Sequence, residues 1–299
     1  MTVNNFYKEI FGTKVYKIAL NAGCTCPNRD GTIGFGGCIF CSQTGSGDFV
    51  PDSFLEIEQQ IEKAKMLLAS KLKNQENVKY IAYFQNFTNT YGDIDKLKNL
   101  WFRALSCPDI AGIAIATRPD CLSEECLKVI SDMAKKCFVQ VELGLQSTNE
   151  RTAEIIRRGY ENQVYFDAVK KLHAANRNIH VVSHVIFGLP GETERDMMKT
   201  VCDVVNAESD GIKITNLYIL SQTDLQKMYE KGEYNPLQME EYFSLLKKAL
   251  NLIPTNVVIH RLTGDPPKKI LIAPDWTKNK KLVLSRVNNL LCDYERDVK

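Results

Sequence analysis

The sequence predicts an α/β fold, a partial or closed (β/α)6-type barrel like a TIM barrel, with parallel strands inside and helices outside. Three observations predict it. Short, β-branched and almost continuously apolar segments recur, as strands buried on both faces do. Helix-patterned segments lie between them, which argues for a parallel sheet with covering helices. A run rich in cysteine and glycine follows the first strand directly, at the end where such barrels carry their chemistry. An open, doubly wound sheet satisfies the same pattern and also places its site at the carboxyl ends of the strands.

Residues 1–13 read as an N-terminal extension and 14–261 as the barrel. The first strand spans 14–21, and a loop at 22–53 carries the cysteines. The segment 55–73 spaces Leu55, Ile57, Ile61, Ala64, Leu67 and Leu68 near a helical period. Strands follow at 78–84, VKYIAYF, and 110–117, IAGIAIAT. Ser123 opens a helix over 123–136, with Glu125 in its first turn and lysines in its last, all favourable to the helix dipole. FVQVEL at 138–143 and HVVSHVIF at 180–187 are strands, each followed by a helix, at 162–176 and 192–208. GIKITNLYI at 211–219 and NVVIH at 256–260 complete the set, separated by a helix at 237–253. Residues 262–299 form a C-terminal extension whose first part, 262–280, is rich in proline and lysine.

With 299 residues, 44% of them hydrophobic, the chain can bury a full core. A net charge of +2 supplies no global field for nucleic acid or membrane surfaces. The opening MTVNNFYKEIFGTK has no apolar leader, and no apolar run reaches spanning length, so a cytoplasmic protein without a membrane partner is expected. In such a compartment ten cysteines point to metal or catalysis rather than a disulfide framework. Those outside 24–41 are scattered and read as small buried apolar groups.

The clustered ones read Cys26-x11-Cys38-x2-Cys41, with Cys24 just upstream. Glycines at 31, 34, 36 and 37 let the backbone fold tightly round an inorganic centre. Two metal readings fit. Cys26, Cys38 and Cys41 bind three irons of a [4Fe–4S] cluster, or all four cysteines bind a structural zinc. The Cys24-x-Cys26 spacing is too short for the usual zinc pair.

GCTCPNRDGTIGFGGCIFCS at 23–42 resembles the cluster loop of the radical S-adenosylmethionine (SAM) superfamily, in the YhcC-type subgroup related to the catalytic subunit of Elongator. The resemblance recurs at FQNFTNTY (84–91), ATRPDCL (116–122), VELGLQS (141–147), HVIFGLPGET (184–193) and IHRLTGD (259–265). It implies the radical SAM barrel, with a [4Fe–4S] cluster on Cys26, Cys38 and Cys41 and SAM on the fourth iron. It also implies an electron donor such as flavodoxin or ferredoxin. By the same resemblance Asn86 and Thr88 stand where many relatives hold the SAM amino group with a glutamate. Glu142 and Gln146 approach the ribose or amino group, and Gly188 and Gly191 border the adenine.

Each of these has an ordinary alternative. Asn86 and Thr88 are common loop caps. Glu142 inside an apolar strand needs a partner, either Arg118 or another barrel-facing base. His184 more often makes a core hydrogen bond than acts as a base. Arg118, Arg261 and His260, at strand ends, are expected to hold an anionic substrate group. The subgroup's kinship with Elongator implies a tRNA substrate, with 5-carboxymethylaminomethyl uridine converted to 5-aminomethyl uridine. A small metabolite or protein side chain as substrate, or a zinc-binding protein without catalysis, are the other readings. Lysines at 266–269 and 278–281 suit phosphates or plain solvent.

Overall fold

The computed structural model describes residues 1–45, 51, 53–69, 72 and 77–297. Helix α1 (Val3–Phe11) leads into strand β1 (Val15–Leu20), followed by α2 (Ile57–Ala69), β2 (Lys79–Phe84), α3 (Ile94–Leu105) and β3 (Ile110–Thr117). Next come α4 (Glu124–Ala134), β4 (Phe138–Gln146), α5 (Glu150–Ile155), α6 (Asn162–Ala175), β5 (Ile179–Phe187), α7 (Glu194–Asn206) and β6 (Gly211–Asn216). The chain ends with β7 (Ile219–Leu220), α8 (Asp224–Glu230), α9 (Met239–Leu250), β8 (Val258–Arg261), β9 (Leu271–Ala273) and α10 (Lys280–Asp297).

Seven parallel strands pair in the order β1-β2-β3-β4-β5-β6-β8, and β7 pairs antiparallel with β9. The main sheet is therefore a curled half-barrel with β1 and β8 as its edges: the partial form of the expected barrel, with one strand more than six. Of the expected cysteine loop, residues 46–50 and 52 lie outside the described residues, as do 70, 71 and 73 of the expected helix 55–73.

Successive side chains point to opposite faces of each strand. Ile18, Leu20, Ala82, Phe84, Ile113, Ile115, Val141 and Leu143 bury outwards in the main core beneath the helices. Ser123 caps α4 as expected, accepting from the Cys126 N–H. Thr193 caps α7 in a reciprocal box with Asp196, so this helix starts two residues after the expected 192. Helix α3 is absent from the sequence reading. Asp93 caps it by accepting from the Asp95 and Lys96 N–H groups, and it buries Leu97, Trp101 and Ala104 on one face.

The expected strand 211–219 divides at Asn216, whose side chain accepts from the Gly264 N–H (3.1 Å) and donates to the Leu217 carbonyl (3.3 Å). The turn redirects the chain, so β7 leaves the main sheet and joins β9. Among the described residues no helix is long and apolar enough to cross a membrane.

Helix α1 closes the amino-terminal end of the half-barrel. Tyr7 packs with Val15, Ile81 and Ala114, and its hydroxyl donates to Gln140 Oε1 (2.9 Å). Phe6 stacks on His180 with ring centroids 4.5 Å apart. The Ile259 N–H donates to the Met1 carbonyl (2.9 Å), and Thr2 forms a bridge with Ile259, so the chain start lies along the β8 edge.

Candidate active site

The cysteine loop leaves β1 at the carboxyl end and is stitched to its surroundings by backbone bonds. The Thr88 N–H donates to the Thr25 carbonyl (3.2 Å), the Ile39 N–H to Ile156 (3.2 Å), and the Leu225 N–H to Ile39 (2.9 Å). The loop is thereby tied to the segment after β2 and to α5 and α8. Asn28 organises it from within. Its side-chain nitrogen donates to the Arg157 carbonyl (2.5 Å) and lies 3.7 Å from the Cys38 sulfur, and its carbonyl accepts from the Gly37 N–H (2.8 Å). Gly34 has to be glycine here, because a Cβ would stand 2.6 Å from the Asn28 Oδ1.

Cys38 and Cys41 share a sulfur hydrogen bond, and this bond pulls the Cys38 thiol down to about 7. Arg118, Asn28 and Arg157 act in the same direction, against burial. The same bond raises Cys41, and burial and the negative character of Cys38 and Cys26 add to it. Three thiols that feel one another's charge beside three arginines (Arg29, Arg118 and Arg157) suit an anionic cluster held by thiolates. Among the described residues no three His, Cys, Asp or Glu side chains converge as a single metal ion requires. Cys24 differs from the other three: it packs against the main core, and burial pushes its thiol up to about 11.

Around this mouth the structure gathers several expected residues. Asn86 is buried and its Oδ1 has no partner among the described residues, although buried polar atoms are normally satisfied. Thr88 is buried beside it. Asn89 ties the turn to the sheet by donating to the Phe84, Asn86 and Ala116 carbonyls. Gln146 sits at a bulge of β4 with φ 64°, half-buried, its amide set against the Gly144 and Leu145 carbonyls. Gly188 has φ 82° and its space is taken by Leu237, which a Cβ would meet at 2.8 Å; Gly191, with φ 80°, faces Ile155.

The structure turns Arg118 and His260 away from the roles expected of them and leaves Arg261 half-exposed. Arg118 does not reach for substrate or for Glu142. Its guanidinium forks onto Asp120 (2.9 and 2.8 Å), donates to the Arg158 carbonyl (2.8 Å) and lies over Tyr160, so its donors are spent beside the cysteine loop. His260 faces the opposite end. It bonds His180 (2.8 Å) beneath Phe6 and Tyr7, and burial drives its imidazole well below the usual range, leaving it neutral. Arg261 keeps a half-exposed side chain 3.9 Å from Asp265.

Glu142 is paired from inside the barrel, and the partners are lysines. Lys17 of β1 donates to Oε1 (2.8 Å), Gln140 to the same oxygen (2.6 Å), and Tyr83 of β2 to Oε2 (2.7 Å). Lys213 of β6 donates to Oε2 and lies 3.3 Å from the Tyr83 hydroxyl. These strands are not neighbours of β4, so all four side chains meet across the concave face. Burial opposes the charge on Glu142, but the two lysines hold it well below the usual carboxylate range. Burial pulls Lys213 down to about 7 against the attraction of Glu142.

One residue the sequence reading passed over is Glu192. It accepts from the Ser147 hydroxyl through Oε1, while Oε2 is buried without a partner among the described residues, and burial pushes its carboxyl up to about 7. Its place in FGLPGET suggested only a helix start, and nothing local revealed that the chain would turn it inward.

A half-barrel of parallel strands with a three-cysteine loop at its carboxyl end defines a class, and comparison with known proteins gives the same class. The family profile described as the radical SAM superfamily matches residues 24–203, and one described as the radical SAM C-terminal domain matches 209–291. The chain belongs to the radical SAM superfamily.

Among individual relatives, YtqA of Bacillus subtilis is 41% identical over 290 residues, covering 97% of this chain and 88% of the relative. YhcC of Escherichia coli is 33% identical, with 90% and 85% covered. A tRNA uridine(34) acetyltransferase of Methanocaldococcus jannaschii is 28% identical, covering 57% of this chain and 31% of that protein. An archaeal Elp3 structure from Methanocaldococcus infernus shares the fold at TM-score 0.67 and 17% identity, with 92% of this chain and 63% of that one covered.

Proposed function

We propose that this radical SAM enzyme acts on the wobble uridine of tRNA, converting 5-carboxymethylaminomethyl uridine to 5-aminomethyl uridine, with SAM as the oxidant and the two-carbon carboxymethyl unit leaving as glyoxylate after water adds. The similarity to a protein named for tRNA uridine 34, which extends over 173 residues, carries the reading. The buried lysines of the barrel support a substrate that bears a negative charge.

In this reading Cys26, Cys38 and Cys41 hold a [4Fe–4S] cluster, and a flavodoxin- or ferredoxin-class protein in the cytoplasm supplies the electron. When bound, cluster and SAM supply a carbon radical able to remove a hydrogen atom from an unactivated carbon. The chain's own work is positional. Asn28, Arg118 and the backbone bonds of the loop fix the three thiols. Asn86, Thr88 and Gln146 offer polar atoms to SAM at the mouth, and the left-handed turns at Gly188 and Gly191 shape its rim. The apolar outer core and α1 exclude water from the walls and floor, which radical chemistry requires.

The test is mass spectrometry of tRNA nucleosides. Anaerobic holoenzyme with reductant and SAM should deplete 5-carboxymethylaminomethyl uridine in undermodified tRNA and release 5′-deoxyadenosine in step. SAM cleavage with an unchanged nucleoside profile rejects the tRNA reading.

A further inference from the structure

We propose that Lys17 and Lys213, on the floor of the half-barrel, form the subsite that receives the substrate's carboxylate. This rests on the proposed function and gives its anionic group a place in the chain.

The first ground is charge. Two ammonium groups face one carboxylate, and both oxygens of Glu142 are already engaged. The remaining contacts of the lysines are neutral: Lys17 meets Tyr7 and Lys213 meets Tyr83. Two ammonium groups sharing one carboxylate in a buried site are unfavourable, and a bound carboxylate removes that imbalance. Burial, with the charges of Lys17 and Arg261, lowers the basicity of Lys213 against the pull of Glu142, whereas Lys17 is raised, so a second anion would favour the charged form of Lys213.

The second ground is access. The Lys17 and Lys213 side chains keep 19% and 10% of their surface exposed, while Glu142 keeps 4%. The cations therefore keep more of their surface open than the carboxylate between them. Above them, towards the mouth, the concave positions of β1, β3 and β4 are Ala19, Ala116 and Gly144, each partly exposed, so on these strands the wall over the lysines is made of small side chains, while β5 sets His184 beside Lys213, bonded to Thr215 (3.1 Å). Below them Tyr7 and Gln140 close the floor.

The third ground is elimination. The other cations near the mouth are committed: Arg118 to Asp120, Arg29 to the Ser42 carbonyl, and Arg158 to the Ser147 and Tyr160 carbonyls. Arg261 is not committed in this way: it is half-exposed, 3.9 Å from an Asp265 that Lys280 also holds, and its charge adds to that of the lysines.

The experiment compares two synthetic anticodon stem-loop RNAs, one carrying 5-carboxymethylaminomethyl uridine and the other its side-chain amide. Each is incubated with holoenzyme, reductant and SAM, and kcat/KM for loss of the nucleoside is read by mass spectrometry. Wild-type enzyme should prefer the acid by about ten-fold or more, as a charge-assisted contact implies. Lys213→Met should bring the two rates within about two-fold, and Lys213→Arg should keep the preference. If Lys213→Met does not fold, Lys17→Met and the wild-type acid-to-amide ratio decide. Equal use of acid and amide by wild-type enzyme, or an undiminished preference in the methionine variant, overturns the subsite and leaves the tRNA reading standing. Wild-type enzyme that cleaves SAM yet leaves both RNAs intact rejects the tRNA reading, and this assignment with it.

Discussion

The two ends of the half-barrel carry similar residue types and are built in opposite ways. At the carboxyl end Asn86 Oδ1 and Glu192 Oε2 are buried without partners among the described residues, Gln146 is half-buried, and Cys41 feels the charge of both Cys38 and Cys26. At the amino end His180, His260, Tyr7 and Gln140 are as polar, but Phe6, Phe11 and Phe138 cover them and most of their bonds are made. Chemical type alone therefore does not mark a site. Unmet bonds alone do not separate the ends, since His260 Nδ1 is also buried without a partner among the described residues; what separates them is whether a ligand can reach the polar atoms.

The largest test of this contrast is at the thiols. Cys26→Ala, Cys38→Ala and Cys41→Ala should each abolish the intact cluster, seen as lost iron and lost visible absorbance in anaerobic protein. Cys24→Ala should retain both, because this thiol is held in the core. Equal loss from Cys24→Ala breaks the division of the four cysteines.

Asn28→Ala comes next. It removes the side chain that joins Cys38 to α5, and outer-shell losses of this kind typically weaken metal binding by about 10–100-fold. Chelator challenge followed by iron counting should show faster loss than in wild type. An unchanged rate would mean the loop is held by its backbone bonds alone.

At the closed end, His260→Ala should leave 5′-deoxyadenosine formed per cluster unchanged and cost about 1–3 kcal/mol of stability, since it opens a gap and leaves His180 unpaired. Denaturant unfolding measures the second quantity. A loss of SAM cleavage without a loss of stability would move His260 back into the chemistry.

The smallest effect is a pH slope. Burial raises the Glu192 carboxyl to about 7, so between about 4.5 and 7 the folded chain binds more protons than the unfolded one. Stability from this group is present at the low end of that window and is lost as pH rises through it. Glu192→Gln should flatten that part of the stability–pH curve for cluster-free protein, measured by denaturant midpoints. An identical slope in both proteins would place the carboxylate in contact with water.

Much of this was legible in the sequence. Continuous apolar runs placed all seven of the main sheet's strands within a few residues, because strands buried on both faces leave no other pattern. The Cys26-x11-Cys38-x2-Cys41 spacing and its glycines located the loop. Side-chain direction across the barrel was not legible. Glu142, Lys17 and Lys213 are 125 and 71 residues from one another, and only the curl of the sheet makes them neighbours. His260 looked like a strand-end residue at the mouth, but the β8 register with β6 sets it against His180 at the base. Helix α3 carried a readable start in Asp93, yet the polar turn before it drew attention away from its apolar face.

The contact of the chain start with β8 also bears on the order of assembly. Each strand–helix unit of the half-barrel closes a short stretch of chain, but the bond from Ile259 to Met1 closes nearly all of it. Loop-closure entropy and the rarity of so distant an encounter place that step late in folding. The amides of α1 and of β8 near Ile259 should then exchange with solvent sooner than those of β3 and β4 in native-state hydrogen exchange. Protection in α1 equal to that of β4 would show instead that the clasp and the central strands open as one unit.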